Sequence, residues 1–469
     1  MVNNEEEHRA GYGLFWPGRG SAGGPAEKPP EFLLTGPDGS ILNPASPGDL
    51  LIEGDNLEAL RILAGIMPGQ VDFIYIDPPY NTGKNMAYRD NFSTCRRANS
   101  QVHPGALRHG AWLSMMFPLL VLARRLLSPG GVMYISIDDR ELPGLILIAD
   151  EIFGEENRAG IITWVKKKKG SHLSRALRGM TEYVLVYGRD IKKLDLYGED
   201  AYSHKWQPLI KRVNREHVLT FGAGVVETTL PGSFYPRGTY GNGGTGVELL
   251  GDIHIKEGRI RNSFSIKART VWTQKKLDRE ILLGTRVSIR SEKMGPSVFR
   301  HDQHKKKKSP PTLLDHNAGI GTNEDAWQEF REILGGAEPV FFYPKPLSLI
   351  RYLVNTISRG SSGGIFLDFF AGTGTTGQAV WQANLADGGD RRFILVQNKE
   401  PINPPVSLPG GDKITDMARL CRERLQKAPE SKPFALGRLI KNPGMETQKP
   451  DTTPCMVSSK GYPGNSLNE

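Results

Sequence analysis

Two short stretches of this chain hold residue types that can do chemistry together. One is Ile76-Asp77-Pro78-Pro79-Tyr80-Asn81, which follows directly on the apolar, β-rich run Val71-Asp72-Phe73-Ile74-Tyr75-Ile76. Successive prolines forbid helix and remove two N–H donors, so the carbonyls of the turn stand as fixed acceptors beside a carboxylate and an aromatic ring. An exocyclic amine on a flat base offers the complement, N–H donors and a π face. Asp77 and the Pro78 carbonyl would accept from such an amine while Tyr80 stacks on the ring, the grip needed on a base drawn out of a duplex. A Pro-Pro turn is more often a structural corner, but an acid before it, a tyrosine after it and a strand leading into it favour chemistry.

The other stretch is Asp368-Phe369-Phe370-Ala371-Gly372-Thr373-Gly374-Thr375-Thr376-Gly377, set between an apolar run and a helical pattern. That is the context of a nucleotide-binding glycine loop, where absent side chains let a ligand approach the backbone. Glu400 follows the next apolar run, at roughly the 20-residue offset where such folds keep an acid for ribose hydroxyls. Taken alone, the loop suits a dinucleotide dehydrogenase equally well, and a ligand-free strand-to-helix turn is the lesser alternative.

The elements that must position these residues alternate in type. From Leu50 to residue 165, strand, turn and helix follow one another with short connectors, which argues for an α/β fold with a mostly parallel sheet covered by helices. A helix over 112–127 contains Pro118, expected to kink or divide it, before a strand at 132–137. Alternation stops after Trp164 and returns near Phe341, with a helix at 347–357, strands at 365–369 and 393–396, and helices at 376–384 and 414–427. The expected organisation is an N-terminal arm at 1–48 held by its aromatics, a core at 49–165, a basic insert at 166–338, the rest of the core at 339–428 and a disordered tail at 429–469.

The charge is regional. Net charge is +9, yet residues 161–310 hold 30 Lys+Arg against 14 Asp+Glu, the expected footprint of a polyanion-binding insert. Its clusters Lys166-Lys167-Lys168-Lys169 and Lys305-Lys306-Lys307-Lys308 would neutralise phosphates. Three unpatterned cysteines, Cys95, Cys421 and Cys455, exclude a disulfide scaffold, and the histidines lack ligand spacing, so no metal is expected. With no signal-like or membrane-length apolar segment, the protein is expected in the cytoplasm, nucleoid-associated in a prokaryotic host, without membrane contact.

The order of these parts, Asp77 to Tyr80, basic insert, then Phe370 to Gly374, resembles the β class of DNA amino-methyltransferases, with a DPPY block ahead of the insert and FxGxG after it. Lesser blocks extend the likeness: YGLFWPG at 12–18, EGDNLEAL at 53–60, GGVMYISIDDRE at 130–141, EYVLVY at 182–187, YPKPL at 343–347 and FILVQ at 393–397. They look most like modification subunits of type III restriction systems, although the chain is short for one and a solitary enzyme stays open. The resemblance implies a Rossmann-like S-adenosylmethionine-dependent fold with an inserted target-recognition domain. It implies that Asp368, Phe370, Gly372 and Gly374 cradle the cofactor, Glu400 holds its ribose, Lys345 and Pro346 border its methionine end and Asp55 lies near it. Asp77, Pro78, Pro79 and Tyr80 would hold the target amine. Lys399 stands where members often carry an apolar residue, which bears on the ribose contact.

The implied activity is site-specific transfer of a methyl group to the N6 amine of adenine in double-stranded DNA by base flipping. The alternative is cytosine N4, which the family more often links to Ser in place of Asp77. A restriction subunit and a second copy of the chain are the implied partners. An NAD-type oxidoreductase would leave Asp77 to Tyr80 and the basic insert unexplained, and a silent DNA-binding protein would have no use for the intact acceptor turn. An RNA substrate stays open.

Overall fold

The computed structural model describes residues 14–83, 90, 92, 104–169, 176–200, 206–300, 307–337, 344–357 and 363–443. The strands that matter for the site are β1 (Phe32–Thr35), β2 (Leu50–Glu53), β3 (Val71–Ile76), β4 (Leu127–Ile137), β5 (Arg158–Val165), β6 (Thr181–Gly188), β7 (Leu313–Leu314), β8 (Gly363–Asp368), β9 (Asp390–Gln397) and β10 (Ala435–Lys441). They form one sheet in the order β1-β10-β2-β9-β8-β3-β4-β6-β5-β7. From β10 to β4 every pairing is parallel, and β1 and β6 run against their neighbours.

Alternate residues of the central strands feed two separate cores. Ile74, Ile76, Leu367 and Ile394 face one, packed with α1 (Asn56–Ile66), α2 (Pro104–Leu126) and α3 (Leu142–Phe153). Phe73, Tyr75, Phe366 and Phe393 face the other, packed with α5 (Leu347–Asn355), α6 (Thr375–Asp387) and α7 (Met417–Lys427). A further helix, α4 (Asn323–Ile333), opens on a capping box in which Thr322 and Asp325 satisfy each other's backbone N–H. Strands apolar on both faces read as continuous hydrophobic runs, which is why β3, β8 and β9 were visible in the sequence.

A second compact unit spans residues 197–310, and the rest of the chain forms the first. The second unit has its own core, built on Leu219, Phe221, Ile260, Ile266 and Val287, and two antiparallel-rich sheets of seven and four strands. The expected insert at 166–338 is therefore too wide. Residues 181–188 form β6 inside the main sheet, and 313–314 and 323–333 form β7 and α4; the basic residues on either side of β6 drew the boundary too early, although the run Glu182–Tyr187 itself is strand-like.

Three other expectations need correction. The N-terminal arm is not only coil: β1 pairs with β10, although Trp16 does anchor it, buried and donating to Ser114 Oγ at 2.9 Å. The tail beyond Pro429 contains β10, seated between β1 and β2. Pro118 does not divide α2, because Trp112, Met116, Leu119, Leu120 and Ala123 bury the flanking turns and outweigh one missing hydrogen bond. Among the described residues no helix is long and apolar enough to cross a membrane.

Arg438 is paired on both sides, with Thr35 of β1 and Glu53 of β2. A proline there has no free edge on which to place its missing donor. Arg438→Pro is expected to lower the melting temperature by about 4 °C more than Arg438→Ala, the shift that roughly 3 kcal/mol gives in a unit of this size. Equal melting of the two variants would return residues 435–441 to an unstructured tail.

Candidate active site

Strands β3 and β8 are parallel neighbours, with Phe73 beside Phe366 and Ile74 beside Leu367. The turn after β3 and the loop after β8 therefore emerge at one carboxyl edge, where open α/β sheets bind ligands. Both open on a cavity of about 260 Å³. Of the residues singled out in the sequence, Asp55, Asp77, Pro79, Lys345, Asp368, Phe370, Gly372 and Glu400 line it; Pro78, Tyr80, Pro346 and Gly374 adjoin the lining without forming it. Among the described residues its charged lining is four carboxylates and one lysine.

That lysine is committed. Lys345 Nζ lies 2.8 and 2.7 Å from the two oxygens of Asp77 and 3.5 Å from Glu182 on β6. Tyr80 donates from its hydroxyl, with Asp77 Oδ1 at 2.8 Å and Glu182 Oε2 at 3.1 Å. Lys166 Nζ donates to Glu182 Oε1 at 3.1 Å. Two acids and two ammonium groups thus close a neutral cluster at the foot of the turn. Burial pushes the Asp77 carboxyl above its usual range against the pull of Lys345. Burial also works against the Glu182 charge, but Lys345 and Lys166 prevail and hold it below the usual range. Lys345 is raised, its two acids outweighing burial.

The turn itself is fixed from several sides. The Pro79 carbonyl accepts from the Trp112 indole at 2.6 Å. Asn81 sits at φ 57, a left-handed conformation that Asn tolerates, with its N–H on Asp90 at 2.7 Å and its side-chain amide on Glu141 at 2.6 Å. His109 Nδ1 meets the same Glu141 oxygen at 2.6 Å.

In the glycine loop, Asp368 accepts from the Phe370 N–H at 3.0 Å and the Thr376 hydroxyl at 2.6 Å, yet burial lifts its carboxyl to about 7. Gly372, at φ 55, gives its N–H to Gln397 Oε1 at 2.7 Å. Gly374, at φ 85, caps α6, and a Cβ there would stand 3.0 Å from Cys421 Sγ. Beneath the loop Arg424 is wholly buried, donating to Thr373, Thr375 and Gln378; burial brings its guanidinium down to about 10. Asp55 caps α1 through the N–H groups of Leu57 and Glu58. Lys399, the departure noted beside Glu400, is turned away to buried Glu53 at 3.1 Å, which also binds Arg422.

The sequence model of a DNA methylase family matches residues 71–399. The chain belongs to this family. It is 32% identical over 352 residues to the type II methyltransferase M.KpnI of Klebsiella pneumoniae, covering 74% of this chain and 80% of that one. It is 30% identical to the type III restriction-modification enzyme StyLTI Mod subunit of Salmonella typhimurium, over 81% of this chain and 56% of the relative. With the EcoPI Mod subunit of Escherichia phage P1 it shares 29% over 85% of this chain and 65% of the relative. The chain therefore spans less than two thirds of the length of these two type III subunits.

Within this DNA methylase the lysine clusters separate. Lys166 pairs with Glu182 in the cluster under the turn, and Lys168 pairs with Asp325 at 3.0 Å. Lys167 is half-buried and Lys169 exposed. Lys308 pairs with Glu199 at 2.8 Å, the Lys307 backbone joins it in a two-residue strand, and Lys305 and Lys306 lie outside the described residues. Glu182, Gln397 and Arg424 carried no expected role. The signals for Glu182 were its place at the head of an apolar β-run and in the EYVLVY block.

Because Asp368 is half-ionised near neutrality, a cationic ligand beside it binds more tightly as its proton leaves. The affinity for S-adenosylmethionine is expected to rise with pH up to about 7, by at most about tenfold per pH unit, and then level off. Calorimetric titration across that range checks this, and Asp368→Asn should flatten the curve.

Proposed function

We propose that this DNA methylase transfers the methyl group of S-adenosylmethionine to the N6 amine of an adenine turned out of duplex DNA. The observation that carries the reading is the shared cavity, in which Asp77 and the glycine loop face the same space. The donor set fits the cofactor. Asp55, Asp368 and Glu400 offer carboxylates for an ammonium group and ribose hydroxyls, Phe370 offers an aromatic face, and Gly372 leaves its backbone approachable. A cavity with four acids and one neutralised lysine would repel the pyrophosphate of a dinucleotide, which argues against an oxidoreductase.

When bound, the cofactor supplies an electrophilic methyl group on a cationic sulfur. The protein's part is to orient a weakly nucleophilic amine, whose lone pair is delocalised into the ring. Asp77 accepts from the amine and stabilises the positive charge that grows on nitrogen. The Pro79 carbonyl accepts from Trp112, and the Pro78 carbonyl is proposed as the second acceptor for the amine. Tyr80, tied by its hydroxyl, holds its ring beside the turn for the base. Cys421 is buried, its thiol pushed up by burial, and offers no thiolate for carbon-5 chemistry.

The adenine reading is supported by the Asp that opens the acceptor turn and by a more distant relative, 27% identical over 149 residues, named DNA adenine methyltransferase YhdJ, of Escherichia coli. For target reading we assign residues 197–310, a separately cored basic unit. A restriction subunit and a second copy are the partners proposed, the first supported by the names of the Mod relatives.

Incubation with plasmid DNA and S-adenosylmethionine, followed by sequencing for modified bases, is expected to show N6-methyladenine at one recurring site. Asp77→Ala should lower the rate at least about a thousandfold, within the range for losing charge stabilisation and proton acceptance together, while DNA affinity stays within about threefold. N4-methylcytosine in its place would overturn the base assignment, and normal turnover by the variant would overturn the site.

A further inference from the structure

Tyr80 has one hydroxyl hydrogen, and two carboxylates lie within reach of it. Its oxygen stands 2.8 Å from Asp77 and 3.1 Å from Glu182. A phenol donates one hydrogen bond, so when it serves one acid its oxygen meets the other acceptor to acceptor. Lys345 lies between the two carboxylates and relieves this contact in part. One further proton on Asp77 would relieve it completely. Asp77 would then donate to the Tyr80 oxygen and Tyr80 to Glu182, with every donor matched to an acceptor.

Amine methylation releases such a proton. As the N–C bond forms, the S–C bond breaks with its electron pair going to sulfur; the nitrogen becomes cationic and must lose a proton to return to a neutral methylamine. Resting on the function proposed above, we infer that Glu182 is a positioning residue that enables Asp77 to take this proton. It does so by receiving the Tyr80 hydroxyl hydrogen at the moment Asp77 becomes an acid. Only one proton changes owner, from nitrogen to Asp77, and the Tyr80 hydrogen merely turns from one acceptor to the other.

The electrostatics run the same way. Burial lifts the Asp77 carboxyl, and Glu182 adds a like charge that lifts it further. Glu182 is held ionised by Lys345 and Lys166, so it stays an acceptor while Asp77 cycles. The groups facing Glu182 are Lys166 at the end of β5, Lys345, Tyr80 and Asp77, with Asp138 after β4 and Tyr75 on β3 also coupled to it. Asp77 faces Lys345, Tyr80, Glu182, Tyr75 and Asp368. Lys166, a fifth exposed, joins the cluster to solvent.

The test is single-turnover methyl transfer to DNA as a function of pH, with thermal unfolding of each variant alongside. Glu182→Gln removes a negative charge near Asp77 and frees Lys345 for it, so Asp77 should become a weaker base. The plateau rate is expected to fall by about tenfold or more, KM for DNA and cofactor to stay within about twofold, and the acid limb to move to lower pH. Tyr80→Phe keeps the ring and removes the hydrogen; it should cost a similar factor but move the acid limb to higher pH, since Asp77 loses a donor. The double variant should be no slower than the worse single one. If Glu182→Gln does not fold, Tyr80→Phe decides by its own limb. Wild-type rate and limb in either variant, or limbs that move the same way, would overturn the inference. Absence of DNA methylation by the wild type, or full activity of Asp77→Ala, would instead overturn the function on which it rests.

Discussion

The site depends on the parallel pairing of β3 with β8. Their aromatic residues Phe73 and Phe366 lie with ring centroids 5.0 Å apart, and Asp72 ties the starts of three strands by accepting from the β8 Ile365 N–H and from Ser128 of β4. Phe73, Ile74, Tyr75 and Ile76 are almost wholly buried, each such side chain worth roughly 1.5–3 kcal/mol. Because both faces of the strand pack against different partners, a slip of one residue would exchange every side chain between the two cores. The register is thus held by packing, and with it the distance between Asp77 and the glycine loop. Catalytic geometry here is a by-product of core geometry, bought with apolar burial rather than with contacts in the cavity.

The charges at that edge are a cost the core must offset. Lys345 and Glu182 are each about a tenth exposed or less, and Asp77 about a quarter. Breaking such a cluster by removing one member costs roughly 3–5 kcal/mol, whereas a well-packed apolar replacement of the whole is often neutral. Stability alone therefore gives no reason to keep two acids and two ammonium groups under the turn. Asp368 tells the same story from the other side of the cavity. Two hydrogen bonds do not offset its burial, and it is left poised near neutrality. Buried acids gathered around one cavity at the sheet edge, held against their desolvation, mark where folding yields to function.

How much of this was legible in the sequence follows from what each residue does. Both motifs were, because a Pro-Pro turn and a glycine loop act through backbone conformation, which residue type dictates directly. The central strands were, because residues buried on both faces leave unbroken apolar runs. Strands β1 and β10 were not: β10 reads Ala-Leu-Gly-Arg-Leu-Ile-Lys, an apolar run broken by a glycine and an arginine, and sits in a stretch whose Pro and Lys content suggests a tail. Gly437 within it is a packing residue, since a Cβ there would stand 2.7 Å from Leu34. The pairing of Lys166 with Glu182 was not legible. A lysine in a run of four reads as solvated charge, and an acid at a strand end reads as a boundary; only tertiary structure shows the two facing each other across neighbouring antiparallel strands, 3.1 Å apart.

The same reasoning explains how the partners of Asp77 tolerate their separation along the chain. Lys345 follows Asp77 by 268 positions, and the whole of the second unit is spelled out between them. A flexible excursion of that length would cost little more than a short one, since closure entropy grows only with the logarithm of loop length. The second unit does not even leave that cost in full, because its own core orders the chain between Tyr197 and Pro310 independently of the two cores that flank the sheet. What the first unit must supply is local: Trp164, buried on β5, donates to the Gly321 carbonyl at 3.0 Å, and Gly321 in turn takes the Ser348 hydroxyl as acceptor for its N–H at 2.8 Å. These bonds bring the returning chain to α5, whose N-terminal cap is Pro346, one residue beyond Lys345. The lysine is therefore aimed by the sheet edge it returns to.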